Sequence, residues 1–531
     1  MPKISRFSRL REIVSTFRKH GLGWLIVFTR TSLFIDEETF NKRLSESSKQ
    51  LRELFENLGP TFIKLGQILS TQRTSFPEAV INELSKLQDS VNPLPFETIK
   101  PLIEKELNGK IDDTFVEINE ETIASASIGQ VYEATLLNGE KVVFKIQKPD
   151  VAEIINLDLK IIYPWVLFLE KTRWGKKHKP SQVFDELKRS LSIEINYIKE
   201  AENCQKISEE LKDIDSIHIP KIYWTYTTQK LLVMEAVFGT KVDKIDELKK
   251  KEINLKKCAD ILIEAYLIQI LRFSFYHADP HPGNIAIDDN GVVIFYDFGM
   301  VGSISKYNRN VIIKLLIAIL REDIDKVSEI IVEIGRNEFI DEDYVIKEID
   351  KLLMKYYRTA LREISLVDVI KEVFKLANEV NLTLSPEFLL LGKCLLELEG
   401  LITIMVPDVS FENLAEKHIY KYIWKDILDM PSLKKVIFTF LDIRDLVTNL
   451  PKRINKVIKK LEDKNDKSSF NLKTQKVYLK TMNTFLFVVF WGILFFAIYR
   501  MIELKLSLLH IILFSFAYIL GLIFYLIFFS K

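Results

Sequence analysis

Cysteine is scarce in this sequence, and neither sign of charge predominates. The three cysteines among 531 residues are Cys204, Cys258 and Cys394, and an odd number without a CxxC spacing excludes a disulfide framework and a paired-cysteine metal site. Lysine and arginine number 74 against 73 aspartate and glutamate, a net charge of +1, which excludes the strongly basic balance of a protein that coats nucleic acid. We therefore predict a reducing compartment and no nucleic-acid partner.

The chain also lacks internal repeats and linkers rich in glycine, serine or proline. At roughly 150 residues per domain, its length predicts two to four domains with ample material for a core. Mean hydropathy is +0.07, which is high for a soluble protein, and most of the excess comes from the C-terminal end.

Two long apolar runs lie at that end. Residues 484–502 and 506–529 are apolar except for Arg500 and His510, and about 20 such residues cross a bilayer as a helix. The sequence predicts a transmembrane hairpin at 484–531, against the alternative of two buried core helices. The preceding segment, between residues 451 and 480, holds ten Lys/Arg and three Asp/Glu. The positive-inside rule therefore places the rest of the chain on the cytoplasmic side.

The N-terminal segment is a second basic cluster, with six Lys/Arg and a single acid, Glu12, in residues 3–19. The apolar stretch that follows, 22–28, is too short to cross a membrane and has no signal-peptide cleavage site. An amphipathic segment on anionic lipid and a plain solvated helix are both consistent with this pattern.

Helical periodicity dominates most of the remaining chain. Residues 46–110 predict helices with breaks at 58–60 and 92–95. Two apolar runs, 131–136 and 142–147, flank Asn138-Gly139 and predict a β-hairpin. Further elements are predicted as follows: a long helix over about 182–211, a strand pair at 219–224 and 231–235, and helices over 305–425.

The residues that carry chemistry are concentrated between 277 and 299. An HxDxxxxN run supplies Asp279 and Asn284, and an Asp-Phe-Gly triplet supplies Asp297. Short strands at 285–287 and 292–295 would hold these groups side by side. Phosphoryl transfer from a nucleotide needs oxygen ligands for Mg²⁺ and a carboxylate that orients the attacking hydroxyl or water. The pattern therefore predicts a phosphotransferase or ATPase site.

A cation for the phosphates is predicted at Lys145, on the second strand of the hairpin, where a kinase-like fold places its phosphate-binding lysine. The partner acid is predicted to be Glu200, on the helical stretch that follows. Glu186 and Glu202 are alternatives on the same stretch.

Two further motifs resemble one known family. Residues 124–130 (ASASIGQ) look like the alanine-rich loop of UbiB-type atypical kinases, and Lys64-Leu-Gly-Gln67 matches the KxGQ motif of that family. The resemblance covers about residues 45–305, and the predicted C-terminal hairpin is similar to that of bacterial members. It implies an α+β, helix-rich, protein-kinase-like two-lobed fold with an N-terminal helical extension and the transmembrane hairpin.

On this basis the chain divides into six parts: a basic amphipathic N-terminal segment (1–45), a helical extension with the KxGQ motif (46–114), a small lobe (115–240), a large helical lobe (241–425), basic juxtamembrane helices (426–483) and the transmembrane hairpin (484–531). The expected location is the bacterial cytoplasmic membrane, with the catalytic domain in the cytoplasm.

The resemblance also implies roles for individual residues. Lys145 and Glu200 would form the ion pair that orients the nucleotide phosphates, Asn284 and Asp297 would hold Mg²⁺, and Asp279 would occupy the catalytic-base position. The residues implied in nucleotide binding are Ala124, Ser125, Ala126, Ser127, Ile128, Gly129, Val131, Lys145 and Glu235.

A regulatory gate is implied at Lys64, Gln67 and Glu194. We expect Lys64 and Gln67 to share a helical face toward the cleft and Lys64 to pair with Glu194. The family usually has E-x-D where this chain has Glu194-Ile-Asn196, so this latch should be weaker than usual. Gly66 is predicted to allow the close approach of another backbone.

The function implied is a membrane-anchored kinase or ATPase that uses ATP or ADP with Mg²⁺ and supports isoprenoid quinone biosynthesis. Its implied partners are membrane lipid, an isoprenoid quinone precursor, quinone-biosynthesis enzymes and a second copy of the chain. No APE triplet follows Asp297-Phe-Gly299, which leaves little room for the activation segment that docks peptides. The alternatives are a small-molecule phosphotransferase and a non-catalytic scaffold that binds nucleotide and lipid.

Overall fold

The computed structural model of the chain describes residues 5–25, 37–71, 76–87, 92–320, 324–334 and 385–428. The predicted transmembrane hairpin and all but the first three residues of the basic juxtamembrane stretch lie outside these ranges. Within them, no helix is both long enough and apolar enough to cross a bilayer.

The described helices are numbered in chain order: α1 (Arg6–Lys19), α2 (Glu37–Glu46), α3 (Ser48–Leu58), α4 (Pro60–Thr71), α5 (Glu78–Leu84), α6 (Phe96–Leu107), α7 (Val151–Glu170), α8 (Arg173–His178), α9 (Pro180–Glu194), α10 (Tyr197–Leu211), α11 (Ile245–Lys250), α12 (Leu255–Ile268), α13 (Lys306–Leu320), α14 (Ile324–Ile334), α15 (Pro386–Met405) and α16 (Phe411–Leu428). The described strands are β1 (Phe115–Ile118), β2 (Ala124–Ser125), β3 (Gly129–Leu136), β4 (Lys141–Gln147), β5 (Ile217–His218), β6 (Leu231–Glu235), β7 (Thr240–Lys241), β8 (Phe275–His277), β9 (Ile285–Ile287), β10 (Val293–Phe295) and β11 (Val301–Ser303).

The N-terminal helices form a packed layer with a core of their own. Arg9 of α1 is buried, and its guanidinium donates to the carboxylate of the fully buried Asp158 of α7 at 2.8 and 2.9 Å. Leu22, the first residue of the apolar stretch 22–28, is fully buried in the same core. Arg9, one member of the basic cluster, therefore has a structural role in an ion pair with Asp158, because a buried charge is retained only when it is paired and hydrogen-bonded.

The small lobe is built on an antiparallel sheet in the order β1-β3-β4-β6, with β2 beside β3. The predicted hairpin is confirmed as β3 and β4, joined by a turn in which Gly139 has a φ of +83°. Positive φ at this position suits glycine, because other residues meet steric strain there. Tyr132 and Phe144 stack at 5.4 Å between ring centroids in the core beneath the sheet.

The predicted pairing of 219–224 with 231–235 is present but shorter than predicted. Ile222 bridges antiparallel to Met234 of β6, and two hydrogen bonds flank this bridge, from the Tyr223 N–H to the Val233 carbonyl at 2.9 Å and from the Glu235 N–H to the Lys221 carbonyl at 2.8 Å. The neighbouring strand β5 pairs in parallel with β10. Pro220 lacks the N–H that a continuous ladder requires, and residues 224–226 form a 3₁₀ turn.

The long helix predicted over 182–211 is two helices, α9 and α10, that break at Ile195-Asn196. Tertiary hydrogen bonds hold the break: the side chain of Gln147 donates to the Ile195 carbonyl at 2.8 Å, and the Tyr197 N–H donates to the Gln229 carbonyl at 3.1 Å. The change of direction lets α10 present its first turn to β4.

The large lobe packs helices around short strand pairs. The two strands predicted inside the motif region are confirmed as β9 and β10, which pair antiparallel with each other. After Asp297-Phe-Gly299 the chain forms β11, which pairs with β8, and α13 begins at Lys306. The segment after this triplet is therefore short, as predicted. The three cysteines are free and buried.

Candidate active site

Lys145 and Glu200 meet between β4 and α10. The Lys145 Nζ atom lies 3.1 and 3.0 Å from the two carboxylate oxygens of Glu200, whose side chain is 5% exposed. The ring of Tyr197 lies 5.1 Å from the same ammonium group. Of the alternative acids, Glu202 pairs with a surface lysine, and Glu186 lies on α9 before the bend. The structure thus selects Glu200 as the partner of Lys145.

The loop between β8 and β9 brings Asp279 and Asn284 together. The Asn284 amide nitrogen donates to the carboxylate of Asp279 at 2.8 Å and, more weakly, to its carbonyl at 3.3 Å. The Lys241 ammonium donates to the carbonyl of Gly283 in the same loop. The hydrogen bond between Asn284 and Asp279 fixes the direction of both side chains.

Asp297 has a φ of +50°, an uncommon backbone conformation for a residue with a β-carbon. Its carboxylate accepts the Gly299 N–H at 3.0 Å. The fully buried His277 holds the backbone from behind, with Nε2 2.9 Å from the Asp297 carbonyl. His277 in turn donates its backbone N–H to the side-chain oxygen of Gln269 at 2.9 Å. The strained position is therefore fixed by buried hydrogen bonds, as expected for strain at a functional site.

The electrostatic environment couples three of these groups. The Lys145 ammonium lies 4.0 Å from the Asp297 carboxylate and holds the pKa of that carboxyl below its usual value. Burial lowers the pKa of Lys145, but the carboxylates of Asp297 and Glu200 outweigh burial and raise it well above its usual value. Burial raises the pKa of Glu200 to about 7, although Lys145 opposes this shift. One cation therefore faces one ionised carboxylate and one that titrates near neutrality.

The alanine-rich loop forms the tight turn between β2 and β3. Its Ala126 N–H donates to the Gly129 carbonyl at 2.8 Å. A β-carbon on Gly129 would overlap the Tyr197 hydroxyl and lie 2.9 Å from the Ile146 carbonyl oxygen. Only glycine fits this position, because two elements that carry Lys145 and Glu200 approach it from both sides. Residues 124–129, which are predicted to bind nucleotide, therefore lie next to the Lys145–Glu200 pair.

Val131 and Glu235, two other residues predicted to bind nucleotide, lie on different strands of the small-lobe sheet. Val131 is directly opposite Lys145 in the β3–β4 register. Glu235 ends β6, and its carboxylate accepts the Lys221 N–H at 3.1 Å and lies 3.0 Å from His218 Nε2. The side chain of Glu235 is therefore engaged by protein groups at the β5 side of the strand.

The predicted ion pair between Lys64 of α4 and Glu194 of α9 is present. Both side chains are largely covered, at 15% and 27% exposure, and the Lys64 charge contributes to lowering the pKa of Asp297. Gln67 behaves differently, because its amide donates to the Leu87 carbonyl at 3.4 Å. The side-chain oxygen of Asn196 is buried and has no hydrogen-bond partner among the described residues.

The explanation predicted for Gly66 is wrong. A β-carbon there would overlap the side chains of Leu87 and Phe55 rather than any backbone. Gly66 is needed because α4 packs tightly against α3 and the end of the α5 segment.

Three site residues escaped the sequence analysis. Tyr197 lies under Lys145, Asn203 donates to the Phe298 carbonyl at 2.9 Å, and Gln269 holds His277. Asn203 follows Glu200 on the same helix face, which is a usable signal. Gln269 lies in a π-helical turn after α12, and no local pattern identifies its partner.

The oxygen atoms of the site suit a magnesium ion. No group of three or more His, Cys, Asp or Glu side chains that could hold a metal occurs in the described parts of the chain. Mg²⁺, however, is usually held by one or two carboxylates together with nucleotide phosphates. Asp297 and Asn284 supply a carboxylate and an amide oxygen, and the Asn284 amide nitrogen is already used by Asp279. The donor set therefore fits Mg²⁺ delivered with a nucleotide.

A strand lysine paired to a helix glutamate, with an HxDxxxxN loop and an Asp-Phe-Gly turn below it, defines a kinase-like protein. Comparison with known families agrees: residues 86–331 match the ABC1 atypical kinase-like domain, and residues 349–410 match the UbiB helical domain. The chain belongs to the UbiB/ABC1 family of atypical kinases.

Individual relatives span bacteria and plants. The "Probable protein kinase UbiB" of Marinobacter nauticus is 32% identical over 388 residues, which cover 71% of this chain and 70% of the relative. The chloroplastic "ACTIVITY OF BC1 COMPLEX KINASE" proteins 7 and 8 of Arabidopsis thaliana are 34% and 41% identical, over 71% and 62% of this chain. The aligned regions cover 55% and 45% of these two relatives, so the chain spans about half of their length.

Proposed function

We propose that this chain is a membrane-anchored atypical kinase or ATPase that binds Mg-nucleotide and acts on or around lipid precursors of an isoprenoid quinone. The observation that carries the nucleotide part is the Lys145–Glu200 pair, with Asp297 4.0 Å from the same ammonium group. A cation held beside a carboxylate of lowered pKa is the arrangement that positions nucleotide phosphates and their metal ion.

Each side chain has a separate task in this proposal. Lys145 binds the phosphates, and Glu200 holds its ammonium group in place. Asp297 and Asn284 hold Mg²⁺, which supplies positive charge to the phosphates when bound. Asp279, oriented by the amide of Asn284, accepts the proton of the attacking hydroxyl or water.

A lipid-linked or small acceptor fits this chain better than a protein. Only Ile304 and Ser305 separate β11 from α13, so the described chain after Asp297-Phe-Gly299 has no long segment on which a peptide could dock. The Lys64–Glu194 pair also ties the KxGQ helix to the helix that precedes Glu200. The Marinobacter relative is named a probable protein kinase, and our proposal departs from that name for this physical reason.

The membrane part rests on the sequence. The apolar runs at 484–502 and 506–529, preceded by a basic stretch, would anchor the catalytic domain at the cytoplasmic face of the membrane. An anchored site reaches substrates that are themselves confined to the bilayer, such as a prenylated aromatic precursor.

The test uses the full chain reconstituted in lipid vesicles. We expect Mg-dependent ATP turnover that a prenylated aromatic compound alters, and we expect Asp279→Asn to abolish turnover while nucleotide still binds. Lipid extracts of a deletion strain should accumulate a prenylated precursor. Nucleotide binding without turnover under all these conditions would favour the alternative function, a non-catalytic scaffold that binds nucleotide and lipid. A normal quinone pool in the deletion strain would exclude the link to quinones.

A further inference from the structure

The C-terminal half of α7 exposes a ridge of large apolar side chains. Tyr163, Leu167 and Phe168 are 48%, 42% and 43% exposed, and Pro164 between them is also exposed. Single exposed apolar residues are normal on a protein surface. Here Tyr163 and Leu167 are four positions apart, as are Pro164 and Phe168, so the four side chains lie on one side of the helix and form a contiguous patch, which marks an interaction surface.

The Tyr163 ring packs on Phe184 of α9 at 5.3 Å between centroids, and the rest of the ridge lies on the side of α7 away from its buried residues. Ile155 and Ile161 on the opposite side of α7 are buried in two apolar clusters, and Asp158 on that side carries the ion pair to Arg9. The helix therefore has one face that holds the fold together and another that is apolar and open to solvent.

The ridge has a basic border. Lys160 and Lys171 are exposed at its two ends. Residues 171–179 (KTRWGKKHK) hold five Lys/Arg and no acid, and Lys176 and Lys179 among them are exposed. The nearest acid in sequence, Glu170, accepts a hydrogen bond from the Ser181 hydroxyl. The apolar surface is thus bordered by positive charge.

The basic N-terminal helix lies beside the same ridge. Arg6 of α1 donates to the carbonyl oxygen of Lys160 at 3.1 Å. This contact adds a further cationic side chain at the end of the ridge where Lys160 lies.

We propose that the ridge formed by Tyr163, Pro164, Leu167 and Phe168 docks on a bilayer surface that contains anionic lipids. The apolar side chains enter the boundary between headgroups and acyl chains, and Lys160, Lys171 and Lys176 contact the lipid phosphates. An apolar face with a lysine-rich border is the pattern of an interfacial helix, whereas the cores of protein interfaces are depleted in lysine. This contact is additional to the proposed C-terminal anchor and independent of nucleotide chemistry.

The test places a fluorophore at the centre of the ridge. Leu167→Cys in the full chain is labelled with an environment-sensitive dye, which is selective because the native cysteines are buried. The protein is reconstituted in phosphatidylcholine vesicles with or without phosphatidylglycerol, and quenching by lipids brominated in their acyl chains is measured. We expect strong quenching in anionic vesicles, little in neutral ones, and loss of quenching at high salt.

Charge variants sharpen the test. Each lysine near an anionic surface contributes enough that Lys171→Gln and Lys176→Gln together should weaken the docked state about 25-fold at low salt. Lys100→Gln with Lys105→Gln, two exposed lysines of α6, is the matched control and should change nothing. Leu389→Cys, at a site on α15 that is 48% exposed, is the control for the label position.

Three results would overturn the proposal. Equal quenching in neutral and anionic vesicles would show that the lysines do not contribute to docking through contacts with anionic lipid. Equal quenching at positions 167 and 389 would show that the label reports general proximity to lipid. A label at position 167 that is shielded from a water-soluble quencher but not reached by brominated lipid would assign the ridge to a protein partner or a second copy of this chain.

Discussion

The ammonium group of Lys145 and the carboxylate of Glu200 are 3.0 Å apart although 55 positions separate them in the chain. Their contact joins the central strand of the small-lobe sheet to the first turn of α10, and it brings Lys145 within 4.0 Å of Asp297 in the large lobe. The pair therefore links the two groups of side chains on which nucleotide binding depends.

Asp297→Asn should weaken the binding of Mg-nucleotide. The change removes the charge of an oxygen ligand, and losing one charge-assisted contact costs about 1.5–3 kcal/mol. The thermal shift produced by Mg-ATP should shrink accordingly. Asp289→Asn is the matched control, since Asp289 is 78% exposed and pairs with the surface residue Lys251. An unaltered shift for Asp297→Asn would remove this residue from the metal site.

Nucleotide affinity should fall as the pH drops below about 7. Burial raises the pKa of Glu200 to about 7, so protonation in this range removes the charge that holds Lys145. Affinity should be measured between pH 6 and about 8.5, a range that brackets this value. Glu200→Gln should bind nucleotide weakly at every pH and lose the dependence. If the nucleotide affinity of Glu200→Gln shows the same pH dependence as that of wild type, the titrating group is another residue.

The titration of Glu200 should also make the free energy of unfolding depend on pH. Because the pKa of Glu200 is raised from 4.5 to about 7 by folding, the folded chain binds more protons than the unfolded chain between these values. The free energy of unfolding should therefore fall as the pH rises through this window. Urea unfolding of wild type and Glu200→Gln at several pH values gives the difference, and a contribution of opposite sign would contradict the raised pKa.

Lys64→Ala should change nucleotide turnover or the selectivity between ATP and ADP. It breaks the ion pair with Glu194 and removes a positive charge that acts on Asp297, while the apolar packing of α4 remains. The melting temperature should stay within a few degrees of wild type, because Glu194 is 27% exposed and water can hydrate its carboxylate once Lys64 is removed. Lys49→Ala, at a 71% exposed position, is the control. Wild-type kinetics at all ATP and ADP concentrations would show that the Lys64–Glu194 pair only holds α4 against α9 and has no part in nucleotide turnover.

Gly129→Ala should lower stability by about 1–3 kcal/mol, the usual cost of overpacking, and impair nucleotide binding. The added methyl group would overlap the Tyr197 hydroxyl, a buried group with no hydrogen-bond partner among the described residues. Tyr197→Phe alone should be nearly neutral, and in combination it should restore part of the loss. The Ile146 carbonyl, 2.9 Å from the new β-carbon, limits that rescue. No rescue would show that the backbone clash alone sets the cost.

Local spacing in the sequence was sufficient for several elements. The Asn-Gly turn defines the β3–β4 hairpin, and the HxDxxxxN run followed by two short strands places Asp279 and Asn284 on one loop. These groups are separated by few residues, so short-range geometry decides their arrangement. The match to the alanine-rich loop and the KxGQ motif likewise identified the family before any fold was known.

Long-range packing decided the rest. Glu200 was one of three candidate acids until the bend at Asn196, held by Gln147 across the sheet, directed α10 toward Lys145. The role of Gln269 behind His277, the burial of Arg9 against Asp158 and the side-chain neighbours of Gly66 depend on elements far apart in sequence. A pattern of residue types shows which groups are present in a segment, whereas the partner of each group is set by the packing of the whole chain.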